Sequence, residues 1–325
     1  MFMLNSTARA LTTCCGIKSR LQVLLVVLYL NLTSLNMAAY VGRFSGTEKG
    51  NDLQSEQNPE AVMALQGSAG KSAAKWSLMS ERVEGLAKEL FVLTCGLDPY
   101  ANSVSNAEGP IMEAIRKKME GEDWDGLWER KESMFPYGPE ASTDPLEAQF
   151  IKMMTFMKNP KRVLEVGMFA GYGAAAIIEA LPDTGKLVSL DMDPFLKTWV
   201  TDVMSKFEEG AKHEIVVGPA LESMKVLDAE EKFDLVFVDA NKSEYKAYVE
   251  TLLSRDLLAE DATMIIDNTL YCGMPFVPSA YDTQPKRRGY GDDIREFNEW
   301  VANHPQLMQA VLPIRDGVSI VRKRS

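Results

Sequence analysis

The chain has 325 residues, 46% of them hydrophobic and 25% charged, with a formal net charge of −11. That length and balance suit a globular protein of one large domain plus an appendage, and the acidic charge argues against a nucleic-acid binder, which needs a basic face. Cys14, Cys15, Cys95 and Cys272 form no CxxC pair, and His213 and His304 lack ligand spacing, which argues against zinc and against a disulfide framework.

Residues 1–40 contain no acid, and Arg9, Lys18 and Arg20 precede an apolar run over 21–32. The run is too short to span a bilayer as a helix. It suits a signal peptide cleaved near Ala38 and Ala39, an organelle-targeting leader, or an untranslated stretch before a start at Met37. Localisation, cytoplasmic in the last case and secretory or organellar otherwise, is left open. Residues 41–75 are polar and rich in small side chains, the composition of a flexible linker.

From Trp76, apolar residues at Met79, Val83, Leu86, Leu90 and Leu93 predict an amphipathic helix ending near Gly96. Further helix is expected over 108–120 and 123–133, a proline- and glycine-bearing loop over 135–145, and a helix from Leu146 towards Met157. The stretch 76–141 thus reads as an N-terminal helical extension to a domain over 142–325. In that domain, short apolar strands (162–166, 186–191, 214–218, 233–239, 263–267) alternate with helices such as 171–181 and 194–209. This is the pattern of an α/β, doubly wound, mainly parallel sheet. The segments 307–314 and 318–323, joined at Arg315-Asp316-Gly317, read as a closing antiparallel hairpin.

Two sets of residues carry chemistry. The first is VLEVGMFAGYG (163–173), with Glu165-x-Gly167-x-x-x-Gly171 between a strand and a helix. Glycine lets the backbone turn tightly near a ligand, and the following helix start offers free N–H groups. Asp191 ends the second strand, where it can accept from a ribose diol, and Gly218-Pro219-Ala220 follows the third. A tight turn without a ligand is the plain alternative. An NAD(P)-dependent oxidoreductase is a second one, although GxGxxG is absent. The second set is Asp239, Asp267 and Asn268, each directly after an apolar run. Oxygen donors at a carboxyl edge suit Mg²⁺ or Ca²⁺. Lys242 follows Asp239 by three residues, within reach of the same acceptor hydroxyl. Taken singly, these are a strand cap, a surface lysine and a turn.

With EAQF (147–150), VLEVGMFAGYG, ALPDTGKLVSLDMD (180–193), GPAL (218–221), FDLVFVDANK (233–242), DNTLYCG (267–273) and LPIRDGVSIVRK (312–323) in order, residues 145–325 resemble the cation-dependent O-methyltransferases. That family includes the caffeoyl-CoA and catechol enzymes. CGLDPY (95–100), the Asp123-Trp124 region and LPIRDG are also similar to a branch that methylates a cyclohexenone enediol on the way to gadusol and mycosporines.

The resemblance implies a Rossmann-like class I methyltransferase fold with S-adenosylmethionine and a divalent cation as cofactors. Glu165, Gly167, Gly171, Asp191, Ala220 and Asn241 are then expected around S-adenosylmethionine, with Tyr172 by its methionine portion. Asp239, Asp267 and Asn268 become the metal ligands, and Lys242, beside Asp239, the general base. The expected acceptor is a small catechol or vicinal enediol, and the expected assembly a homodimer. A non-catalytic protein that retains the fold is the alternative of another class.

Three positions depart from the family pattern. Gly173 replaces a serine that touches the cofactor. Asn241 replaces an aspartate, keeping an acceptor but dropping a charge. Cys272 lies where plant relatives have a substrate-facing asparagine, which argues against a phenylpropanoid thioester. The loop 271–292, with Tyr271, Phe276, Tyr281 and Tyr290, is expected to shape the acceptor pocket; its basic Lys286-Arg287-Arg288 either meets an anionic acceptor or belongs to a solvated loop.

Overall fold

The computed structural model describes residues 59–277, 280 and 287–324, with backbone only over 59–81. The leader, the start of the expected linker, Tyr281 and Lys286 lie outside the described residues. Helix α1 (Pro59–Val104) is longer than the periodicity predicts. It takes in 59–75, expected as linker, and runs past Gly96 to Val104. The stretch 59–75 lacks an apolar face but holds Ala61, Ala64, Ala69, Ala73 and Ala74 and no interior proline. Alanine's helix propensity accounts for it where amphipathic spacing does not. The chain divides into two compact units after Pro99. This division falls inside α1.

From Tyr100 onward, α2 (Pro110–Glu120), α3 (Trp124–Glu129) and α4 (Pro145–Lys158) precede a seven-stranded sheet. Its elements are β1 (Arg162–Val166), α5 (Tyr172–Ile178), β2 (Lys186–Asp191), α6 (Pro194–Met204), β3 (His213–Val217), α7 (Ala220–Val226), β4 (Phe233–Val238), α8 (Tyr245–Ser254), β5 (Leu258–Ile266), α9 (Arg288–Asn303), β6 (Leu307–Leu312) and β7 (Val318–Lys323). The strand order is β3-β2-β1-β4-β5-β7-β6. β1 to β5 run parallel. β7 lies antiparallel to both β5 and β6, so the hairpin closes the sheet as expected. β5 begins five residues before the predicted 263, and Arg288 and Tyr290 lie on a helix rather than in an irregular loop.

Both sheet faces are covered. Val163, Leu187, Leu235 and Phe237 pack with Tyr172, Ile177, Trp199 and Ile151 on one face. Leu164, Val166, Val236 and Val238 pack with Tyr245, Tyr248, Ile294 and Phe297 on the other. Burial on both faces explains the continuous apolar strand runs. Strand order reverses between β1 and β4, and a ligand crevice in an open α/β sheet opens at such a switch, outside the carboxyl ends of the strands.

Candidate active site

The chain leaves β1 and β4 side by side at that switch. Gly167 N–H bonds Leu190 O at 2.9 Å and Asp239 N–H bonds Val166 O at 2.9 Å. Gly167 adopts φ +89°, and a Cβ there would lie 2.2 Å from the Asp239 carbonyl oxygen. Only glycine allows this approach. Gly171, at φ +76°, caps the N-terminus of α5. Asp191, at the end of β2, folds the glycine turn around its carboxylate. Its Oδ2 accepts from Met168 N–H (3.1 Å) and Phe169 N–H (2.9 Å), and its Oδ1 from Asp193 N–H (3.0 Å). Burial pushes the Asp191 carboxyl above its usual range, against these three amides.

A cavity of about 580 Å³ opens here. Gly167, Tyr172, Asp191, Ala220, Asp239, Asn241 and Lys242 line it, seven residues singled out from sequence. Glu165, Gly171, Asp267 and Asn268 are not among its lining. Glu165 is buried on β1, where burial pushes its carboxyl up to about 8. Tyr172 is buried, and its hydroxyl donates to Glu108 Oε1 at 2.5 Å. Glu108 is itself gripped by Arg116 Nε at 2.9 Å to both oxygens.

At the β4 end, Lys242 Nζ lies 2.7 Å from Asp239 Oδ1. Burial alone would depress the lysine, but Asp239, Tyr245 and Asp267 outweigh it and hold it well above the ordinary lysine range. The expected base is thus an ammonium in this arrangement. Asp267, buried after β5, is pushed up to about 7 by burial and by the Asp239 charge. Asn268 sits at φ +58°, a left-handed conformation that asparagine tolerates better than most residues. Among the described residues, no group of three or more His, Cys, Asp or Glu is arranged to hold a metal ion. The expected set contains only two such residues, and Asp239 is turned to Lys242.

Sequence reasoning missed Glu147 and the segment 133–143. Glu147, in the first turn of α4, is buried, and burial and Asp267 raise its carboxyl well above the normal range. The two carboxyls interact, which raises Glu147 and offsets part of the rise of Asp267. The glutamate of EAQF was visible only as part of a motif. Phe135, Tyr137, Ser142 and Thr143 line the cavity. Met134 N–H holds this segment to Asp193 Oδ2 at 2.7 Å. Tyr137 packs on Trp124 and Phe169, with ring centroids 6.2 and 5.1 Å away. Two aromatics in a proline-rich loop after a helix were the available signal.

The model of the family described as O-methyltransferase matches residues 128–324, more than half of the chain. The O-methyltransferase ankF of Aspergillus thermomutatus is 34% identical over 188 residues, covering 56% of this chain and 78% of that protein. The caffeoyl-CoA O-methyltransferase of Mesembryanthemum crystallinum is 32% identical over 188 residues, covering 57% and 73%. Among solved structures, the S-adenosylhomocysteine-bound methyltransferase PaMTH1 of Podospora anserina aligns with a TM-score of 0.61 at 26% identity, covering 72% of this chain and 96% of its own. A Bacillus cereus O-methyltransferase aligns at 0.58 with 21% identity, which shows the shared fold. With its strand order, closing hairpin and switch-point cavity, the chain belongs to the O-methyltransferase family.

Proposed function

We propose that the protein transfers the methyl group of S-adenosylmethionine to one hydroxyl of a small catechol or vicinal enediol, held on a divalent cation by Asp239, Asp267 and Asn268. The carrying observation is the pairing of two acidic corners at one crevice. Asp191 marks one end of the cavity, and the Asp239–Lys242 pair, backed by Asp267 and Glu147, the other. The volume lies within the range of small-molecule sites. An acidic carboxylate at the second strand end suits a ribose, and the glycine turn leaves room for the rest of the donor. The relatives bound to S-adenosylhomocysteine agree with this reading.

The donor set at the second corner also fits a hard cation. Two aspartates and an amide oxygen are ligands of the kind Mg²⁺ and Ca²⁺ take. The half-buried Asp239 and the buried Asp267 and Glu147 carboxyls have Lys242 as the lysine against them among the described residues, so they gain by added positive charge. When bound, the donor supplies an electrophilic methyl group, and the cation lowers the pKa of an acceptor hydroxyl.

The chain's own residues orient and exclude. Phe135 and Tyr137 wall the cavity, and Asp191 fixes the donor end. Lys242 lies where a proton leaving the acceptor or an oxyanion would be met. A lysine acts as a base only when its ammonium is destabilised. In this role Lys242 needs its Asp239 partner engaged elsewhere, as Asp239 would be when holding a cation. Glu147 positions Asp267.

Turnover of chelator-stripped protein tests the reading. Mg²⁺ is expected to restore methylation of a catechol in the wild type, and Asp267→Ala to lose at least about a hundred-fold of it, several kcal/mol of cation-derived stabilisation. Equal metal-stimulated turnover in Asp267→Ala would overturn the ligand set.

A further inference from the structure

We propose that His213 is a positioning residue for the methyl donor, acting through Ser189 on the carboxylate of Glu165. This rests on the reading of Glu165 as a donor-binding residue. The three side chains come from neighbouring strands. Glu165 on β1 stands in register with Ser189 on β2, and β2 pairs in turn with β3, which His213 opens. Ser189 is fully buried, and its hydroxyl donates to Glu165 Oε2 at 2.5 Å. The Ser189 Oγ also lies 2.8 Å from His213 Nε2. A serine hydroxyl has one hydrogen to give. With that hydrogen on Glu165, Ser189 must accept from His213, so Nε2 carries the imidazole proton and Nδ1 is bare. Nδ1 is closed off from solvent and has no hydrogen-bond partner; in this tautomer it is an unpaired acceptor, whereas the other tautomer would bury an unpaired N–H. Burial lowers the His213 pKa to about 4, which keeps the imidazole neutral.

The relay fixes one oxygen of Glu165 and thereby aims the other. Oε1 lies 3.1 Å from where a Cβ on Gly173 would stand, and Thr143 Oγ1 lies 3.3 Å from the same point. A serine side chain at 173 would crowd Oε1. The glycine that departs from the family pattern is thus the space the aimed carboxylate uses. Thr143, beside Oε1 at this point, lines the cavity although Glu165 itself does not, and a cationic ammonium of a donor bound against that wall would meet Oε1 there. A carboxylate held in one rotamer before binding loses less freedom when it binds.

Calorimetric titration of the full chain with S-adenosylhomocysteine tests this. His213→Leu and Ser189→Ala should each weaken binding by about 3- to 10-fold, the effect of one hydrogen bond. The double variant should bind like Ser189→Ala alone, because His213 acts only through the serine. His213→Gln, which keeps a donor near the Nε2 position, should bind like the wild type. Glu165→Gln should lose about ten-fold or more. Wild-type affinity in His213→Leu beside a loss in Glu165→Gln would overturn the relay and leave the donor site standing. Wild-type affinity in Glu165→Gln would instead remove Glu165 from the donor site. Additive losses in the double variant would overturn action through Ser189. Should His213→Leu fail to fold, wild-type affinity in Ser189→Ala, or a loss in His213→Gln, overturns the relay.

Discussion

Glu165 carries the sharpest consequence at the scale of single residues. Burial raises its carboxyl to about 8, so below that pH the folded protein holds a proton that the unfolded chain releases from about pH 4.5 upward. Its contribution to stability is therefore lost as pH rises from about 4.5 to 8. His213 has the opposite sign, since its pKa falls to about 4 and stability is lost as pH drops from about 6.5 towards 4. A cationic group bound at Glu165 favours the ionised carboxyl. Affinity for S-adenosylhomocysteine should rise from pH 6 to 8 and then level off, with proton release seen as a buffer-dependent heat. Glu165→Gln should flatten that profile; an unchanged slope would assign the proton to another group.

At the scale of elements, Asp193 joins three parts of the site. Its Oδ1 caps α6 through Phe195 N–H at 2.9 Å, its Oδ2 holds Met134 N–H at 2.7 Å, and its own N–H bonds Asp191. Burial pushes the Tyr137 hydroxyl pKa up, and Tyr137 lies close enough for the Asp193 charge to push it up further. Asp193→Ala removes a helix cap and frees the 133–143 segment. The expected cost is about 2 kcal/mol, a fall of roughly 4–8 °C in Tm, together with weaker S-adenosylhomocysteine binding. A lower Tm with unchanged affinity would show that the segment does not shape the donor pocket.

The same scale shows what a sequence reveals. The apolar runs ending in Asp191, Asp239 and Asp267 were legible because buried parallel strands leave a continuous hydrophobic signature. So was the hairpin, from its turn. The start of α1 was not, because its first turns rest on propensity rather than on an apolar face. Glu147 and the Ser189–His213 contact were hidden for another reason. Each meets its partner across the fold, and no spacing along one element encodes a pairing between strands.

At the scale of the whole molecule, we propose a homodimer. Leu86, Leu90, Leu93 and Leu97 are exposed on α1 at spacings of four, three and four, and Met153, Phe156 and Met157 are exposed on α4. Leucines repeating in this way suit a helix partner. Sedimentation velocity should show twice the chain mass, and Leu90→Glu with Leu93→Glu should return it to a monomer; a wild-type monomer would refute the assembly.

The central claim is that two acidic corners of one crevice serve a methyl donor and a chelated acceptor. It is tested most directly by following methyl transfer from S-adenosylmethionine to a catechol and to the matching monohydroxyl phenol, before and after chelator treatment. The account predicts transfer to the catechol alone, lost with the chelator and regained with Mg²⁺. Equal methylation of the phenol, or turnover indifferent to the chelator, would contradict it.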